Sequence, residues 1–142
     1  NECIKSPFYF DKVFVYGNYD GVLKDAIKYM KFGGMHKIAI RLGILMLKKI
    51  DMPMVECIVP VPLSKKRLLK RGFNQSFFIA KVISKRKKIP LDIDLLFKVR
   101  DTLPQSLLSG KQRIENPKGA YLVKRKKNLP MSVMIVDDVM TT

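Results

Sequence analysis

Apolar and polar positions along this chain change period several times, and each change marks an element. Val13-Phe14-Val15-Tyr16 is a short apolar run that predicts a strand. Gly17 to Gly21 is rich in turn residues, with Asp20 placed to cap a helix. Val22, Ala26, Tyr29 and Met30 share one helical face, which predicts a helix over 22–32 that Gly33-Gly34 ends. A more apolar helix is predicted over 35–50. Glu56 to Val61 predicts a strand with Cys57-Ile58-Val59 as its buried part, and Pro60-Val61-Pro62 stops it because proline cannot continue a ladder. Over 74–87 the spacing predicts a helix, with Phe77, Phe78, Ala80, Val82 and Ile83 on its apolar side and Lys81, Lys85, Arg86 and Lys87 on its polar side. Leu95, Phe97 and Val99 alternate as a strand, and Ala120 to Val123 predicts another. Val133 to Val136 reads as a short, fully buried parallel strand. Arg100 to Lys118, with Pro104, Gly110 and Pro117, shows no period and predicts a long loop of functional or mobile character.

Strands alternating with helices at this spacing predict an α/β fold. Its central sheet is expected to be mainly parallel, with strands centred on Ile58, Phe97, Leu122 and Ile135 and helices on both faces. Residues 1–53 read as a lead-in region of one strand and two helices. Residues 54–142 read as the α/β domain proper.

Charge changes this picture at one place. The 142 residues carry 28 Lys and Arg against 12 Asp and Glu, a net charge of +16. Residues 58–90 hold ten basic residues and no acidic one. Such a block favours polyanions such as pyrophosphate, nucleic acid or an acidic membrane surface; a solvated lysine-rich face is the plain alternative. Cys3 and Cys57 lie too far apart in sequence for a metal-ligand spacing or a disulfide framework. The apolar run from Ile38 to Leu47 is short and interrupted by Arg41, so no membrane span is expected and the chain reads as cytoplasmic.

Two segments carry candidate chemistry. In the first, the strand over 133–136 runs directly into Asp137-Asp138, then Val139-Met140-Thr141-Thr142. A buried strand does not carry two acids without partners, since an unpaired buried charge is costly. Placed at the strand's C-terminal end, both acids can face one crevice and hold vicinal hydroxyls or a hydrated cation. Thr141 and Thr142 add small hydroxyl donors suited to a phosphate. The alternative is a pair of acids at an exposed strand end. In the second segment, the turn at Pro60-Val61-Pro62 runs into Lys65, Lys66, Arg67, Lys70 and Arg71 before Gly72 and Asn74-Gln75. Arginine offers a bidentate fork and lysine a point charge, so this segment suits pyrophosphate; a basic surface loop is the alternative. Gly72 permits a tight turn, and Asn74 can cap the next helix. Lys85, Arg86, Lys87 and Lys88 lie at that helix's far end, roughly 20 Å from the turn at ~1.5 Å per residue. There they can meet a nucleic-acid backbone without touching the first site.

Val-Pro-Val-Pro at 59–62, Arg-Gly-Phe-Asn-Gln at 71–75, Val-Arg-Asp-Thr-Leu-Pro-Gln at 99–105, Leu108-Ser109 with Arg113 and Asn116, and Val-Asp-Asp-Val-Met-Thr-Thr at 136–142 occur in order. Together they resemble the ComF family of competence-associated, type I phosphoribosyltransferase-like proteins, and Lys31-Phe32-Gly33-Gly34 matches that family's K-[FY]-x-G turn. The resemblance implies a phosphoribosyltransferase that binds phosphoribosyl pyrophosphate with Mg²⁺ and acts in DNA uptake. It implies that Asp137 and Asp138 hold the ribose hydroxyls and, through substrate, the metal. It gives the pyrophosphate to Pro60, Val61, Pro62, Lys65 and Arg67, with Arg71, Asn74 and Gln75 beside them. Thr141 and Thr142 would hold the 5′-phosphate, and Gln105 and Arg113 would be the contacts of a lid over 100–116. The competing implication is a non-catalytic module for single-stranded nucleic acid on the same fold. The family's four-cysteine zinc module has only Cys3 as a counterpart, so no zinc site is expected. Its phosphate-loop glycine, closing helix and closing strand have no counterpart, so the chain reads as truncated.

Overall fold

A computed structural model describes residues 10–103, 108–124 and 128–140. It is a mixed α/β structure. The chain forms α1 (Gly21–Phe32), α2 (His36–Lys49), β1 (Cys57–Pro60), α3 (Lys65–Arg71), α4 (Gln75–Lys87), β2 (Leu96–Lys98), α5 (Gly110–Glu115), β3 (Tyr121–Val123) and β4 (Val133–Val136).

One core is built from both halves of the chain. Ile27 and Met30 of α1, Ala39 and Leu42 of α2, Ile58 of β1, Ile79, Ala80 and Ile83 of α4 and Val136 of β4 pack together in it. Burying each large apolar side chain stabilises the fold by about 1.5–3 kcal/mol. Helices α2 and α4 approach closely at Gly43, where a Cβ would lie 3.1 Å from Val82 Cβ and 3.2 Å from the Ile79 carbonyl oxygen. Residues 10–53 thus share their core with the elements that follow.

All four expected strand positions are occupied, but the expected four-stranded sheet is not formed. β1 and β4 pair in parallel, with Pro60 opposite Val136, while β2 and β3 pair antiparallel as a separate two-stranded sheet. Among the described residues, the excursion between β2 and β3 contains only the six-residue α5, not a helix long enough to carry a parallel crossover. β1 is flanked on its other side by Leu91, through Ile58 N donating to Pro90 O at 2.8 Å and Asp92 N donating to Ile58 O at 2.9 Å. That central place explains why all four β1 residues are buried.

Further expectations are corrected. β4 is not fully buried: Val136 faces the core, whereas Ile135 is 63% exposed. Among the described residues, α4 packs on both parallel strands and no helix covers Ile135, so helices do not flank both faces there. Among the described residues, 13–16 form no strand: Val13, Phe14 and Val15 are exposed, and the half-buried Tyr16 is held through its carbonyl, which accepts from Lys49 Nζ at 3.0 Å. The basic run at 65–71 is a helix rather than a loop, and α5 interrupts the predicted loop.

Candidate functional site

The site forms where β1 and β4 end side by side. Val61 N donates to Val136 O at 2.9 Å, so both chains leave the sheet together and turn at the same edge. Asn74 ties the start of α4 to this edge. Its Oδ1 accepts from Ser76 N at 3.0 Å as a helix cap, and its Nδ2 donates to Val61 O at 3.0 Å. Between them, α3 starts at Ser64, whose hydroxyl accepts from Arg67 N, and ends at Gly72 with φ 75°. Glycine adopts that left-handed conformation without strain. Arg67 and Arg71, four residues apart, therefore lie on one side of α3.

Asp137 follows directly on Val136. Its Oδ1 accepts from Ser76 Oγ at 2.9 Å and from Asp138 N at 2.8 Å. Part of the residue stays open to solvent, but its carboxyl is hemmed in by protein atoms. That burial, reinforced by the adjacent Asp138 carboxyl, pushes Asp137 up to about 6; the two hydrogen bonds oppose the shift. Asp138 meets a cation from the N-terminal region. Lys31 Nζ, at the end of α1, lies 2.8 Å from Asp138 Oδ2, with side chains only 18% and 6% exposed.

Cations surround the acids. Arg67 Nη2 donates to Thr102 O at 2.6 Å. Lys98 Nζ donates to Thr102 Oγ1 at 2.8 Å and to the Tyr121 hydroxyl at 3.2 Å, and lies 4.9 Å from the centre of the Tyr121 ring. Burial and then nearby Arg67 hold Lys98 below its ordinary value. Burial, with a smaller push from Arg67, does the same to Arg71, against the pull of Asp138 and Asp137. Tyr121 is raised by burial and by Asp137. Arg67, Arg71, Lys98, Tyr121 and the acid pair thus lie close enough for their charges to act on one another.

The structure brings Pro60, Val61, Pro62, Arg67, Arg71, Asn74, Asp137 and Asp138 to this edge. Lys65 is exposed in the first turn of α3. Gln75 is buried, and its Oε1 has no hydrogen-bond partner among the described residues. Arg113 sits on α5, donates from Nε to Leu108 O at 3.0 Å, and is not among the charges that shift Asp137. Gln105, Thr141 and Thr142 lie outside the described residues. Lys85, Arg86, Lys87 and Lys88 are at the opposite end of α4, where Lys87 Nζ donates to Met52 O at 3.1 Å and Lys88 adopts a left-handed cap with φ 57°. Ser76, Lys98, Thr102, Tyr121 and Lys31 were not anticipated as site residues. Lys31 and Thr102 stood in motifs without a role of their own, and Lys98 is the polar position of an alternating strand.

Among the described residues no group of three or more His, Cys, Asp and Glu side chains could hold a metal ion by itself. None of the described helices is long and apolar enough to cross a membrane.

An acid pair faced by two half-buried arginines and a half-buried lysine, where two parallel strands end, defines an α/β protein with a polar site. In sequence the chain is similar to competence protein F of Haemophilus influenzae, with 32% identity over 149 residues covering 99% of this chain and 65% of that protein. It is also similar to the DNA utilization protein YhgH of Escherichia coli K12, at 29% identity over 99% of this chain and 64% of that protein, and to YhgH of Salmonella typhi at 30%. The resemblance to the ComF family is thereby borne out: this chain is a homologue of competence protein F. It spans about 65% of the length of the relatives it matches. No family model and no solved structure matches it.

Proposed function

We propose that the chain carries the sugar-phosphate site of a type I phosphoribosyltransferase-like protein, which binds phosphoribosyl pyrophosphate or a related sugar phosphate with Mg²⁺ and serves in DNA uptake or use. One observation carries the reading: Asp137 and Asp138 share an edge with Arg67, Arg71 and Lys98 where β1 and β4 end. A ligand with hydroxyls at one end and phosphates at the other matches that division of charge. Carboxylates accept from the hydroxyls, and the arginine forks take phosphate oxygens. The names of the relatives, competence protein F and DNA utilization protein, supply the setting.

The donor set fits Mg²⁺. Carboxylate oxygens are hard ligands, and this ion binds through one or two of them together with substrate phosphates and water rather than in an all-protein cage. The metal would neutralise charge on the pyrophosphate leaving group. In transfer, the bond between the anomeric carbon and pyrophosphate breaks with its electron pair leaving on oxygen, and a nitrogen acceptor forms the new bond. The ring passes through a cationic state, which the nearby carboxylates stabilise, while Arg67, Arg71 and Lys98 stabilise the departing anion.

Calorimetric titration with phosphoribosyl pyrophosphate and Mg²⁺ tests this. Binding should require the metal and vanish in the Asp137→Asn, Asp138→Asn variant. Absence of binding by phosphoribosyl pyrophosphate, ribose 5-phosphate and pyrophosphate alike would reject it. A second reading, a single-stranded nucleic-acid module, is favoured by the basic block at 58–90 and by exposed Lys85 and Arg86. Competition by single-stranded DNA in the same titration separates the two.

A further inference from the structure

The Lys31-Phe32-Gly33-Gly34 turn has no part in the function proposed above, yet it reaches the site twice. Lys31 Nζ pairs with Asp138 Oδ2 at 2.8 Å, and the Arg71 guanidinium lies 5.8 Å from the centre of the Phe32 ring. Gly33 stops α1 directly after these two residues, donating its N–H to Tyr29 O at 2.7 Å, and Gly34 turns the chain away with φ 67°.

The charge at Asp138 is therefore already matched. Asp138 Oδ2 is buried and has no hydrogen-bond partner among the described residues apart from its ion pair with Lys31. Among the described residues Asp137 makes no ion pair at such a distance, although Arg71 and Lys98 feel its charge; its Oδ1 is held by a hydroxyl and an amide. Two adjacent carboxylates in one cleft would otherwise repel each other and draw a divalent cation between them.

We infer that Lys31 divides the labour of the acid pair: it neutralises Asp138, leaving that residue a hydroxyl acceptor and an anchor for α1, so that Asp137 alone receives the metal. This rests on the reading of the site given above, and makes Lys31 a positioning residue. The acid pair itself then presents one net negative charge rather than two. The pair also couples the N-terminal helices to the site through a contact that neither region makes alone.

Binding of Mn²⁺, as a paramagnetic stand-in for Mg²⁺, measured with saturating pyrophosphate to complete its coordination, tests the inference without any sugar phosphate. Removing both partners of a buried ion pair is often neutral for stability, whereas removing one is strongly destabilising. The decisive variant is therefore Lys31→Met with Asp138→Asn. It should bind Mn²⁺ within about threefold of the parent, while Asp137→Asn abolishes binding. An opposite charge nearby shifts a carboxylate's affinity for a proton by about 1–3 logarithmic units, so Lys31→Met alone should bind Mn²⁺ about tenfold more tightly. Loss of Mn²⁺ binding in the double variant to the extent seen in Asp137→Asn would overturn the inference. So would absence of Mn²⁺ binding from every variant, Lys31→Met included. Failure of the sugar-phosphate reading would look different: Mn²⁺ binding would follow the expected order, and phosphoribosyl pyrophosphate would not bind.

Discussion

Ser76 donates its hydroxyl to Asp137 across 2.9 Å, joining the first turn of α4 to the end of β4. The bond is made possible one residue pair earlier, where Asn74 caps the helix and fastens it to the β1 turn. A helix start, two strand ends and an acid are thus fixed as a group, which is how a site on short elements keeps its geometry.

Ser76→Ala should raise the titration of Asp137 above its value of about 6, because the hydrogen bond favours the charged form. Carboxyl NMR of the labelled protein reads this directly, with Ser76→Thr as the variant that keeps the hydroxyl. An unchanged midpoint in the alanine variant would show that the hydroxyl does not act on the acid.

The elevated Asp137 also makes a prediction for stability against pH in metal-free buffer. Its value rises from 3.8 to about 6 on folding, so between those limits the folded protein binds more protons than the unfolded chain. Stability from this group is then fully present below about pH 4 and declines as pH rises to 6. Arg71 and Lys98, the cations coupled to Asp137, keep their charge through this window. Asp137→Asn should therefore gain on the parent from pH 4 to 6 and hold a constant advantage above it. Urea melts at several pH values supply the comparison, and parallel curves for the two proteins would refute it.

Much of this was legible in the sequence, and the gaps have physical causes. Helical spacing in 22–32 and 74–87, the Asn74 cap, and the apolar runs at 57–60 and 133–136 located most of the core and the strand-end acids. The helix α3 escaped because it has no buried residue and hence no apolar stripe; its signs were only Ser64 before it and Gly72 after it. α5 was hidden in a polar stretch, although Ser109 and Gln112 form a capping box whose spacing the sequence displays. The direction of β2 and β3 could not be read from alternation, which is the same in parallel and antiparallel strands. Lys98 and Tyr121 reach the site only through tertiary folding, and no local pattern distinguishes them from ordinary surface residues; Lys31 stood in a turn motif, but its partner Asp138 is 107 residues away in sequence.

Asn74 separates two roles that one substitution can dissect. Asn74→Asp keeps the acceptor that caps Ser76 N but loses the donor to Val61 O, while Asn74→Ala loses both. Loss of the cap costs about 0.5–2 kcal/mol. Asn74→Ala should lower the denaturation midpoint clearly, whereas Asn74→Asp should stay nearer the parent in stability and yet weaken sugar-phosphate binding, since the β1 turn is no longer tied to α4. Equal stability in all three proteins would mean that neither bond contributes.

The two functional readings part at the far end of α4. Lys85 and Arg86 are exposed there, while Lys87 is held by the Met52 carbonyl and lies 4.0 Å from Asp51. Lys87 is thus partly occupied with its own fold, and Lys88, also exposed, lies past the end of the helix, so Lys85 and Arg86 are the exposed cations of the last turn of α4 and the better test of nucleic-acid contact. Lys85→Gln with Arg86→Gln should weaken single-stranded DNA binding and flatten its salt dependence, by about 0.7 of a log–log unit for each lost phosphate contact. The same variant should bind sugar phosphate as the parent does, because neither residue approaches the acid pair. The Asp137→Asn, Asp138→Asn variant should behave in the opposite way, losing Mg²⁺-dependent sugar-phosphate binding. Its DNA affinity should be unchanged or slightly higher, since two negative charges are removed. Salt titrations of both proteins against a fluorescent oligonucleotide decide the matter. If the Lys85, Arg86 variant keeps both its affinity and its salt slope, the end of α4 does not contact DNA, and the excess positive charge of 58–90 then serves the phosphates of the strand-end site through Arg67 and Arg71.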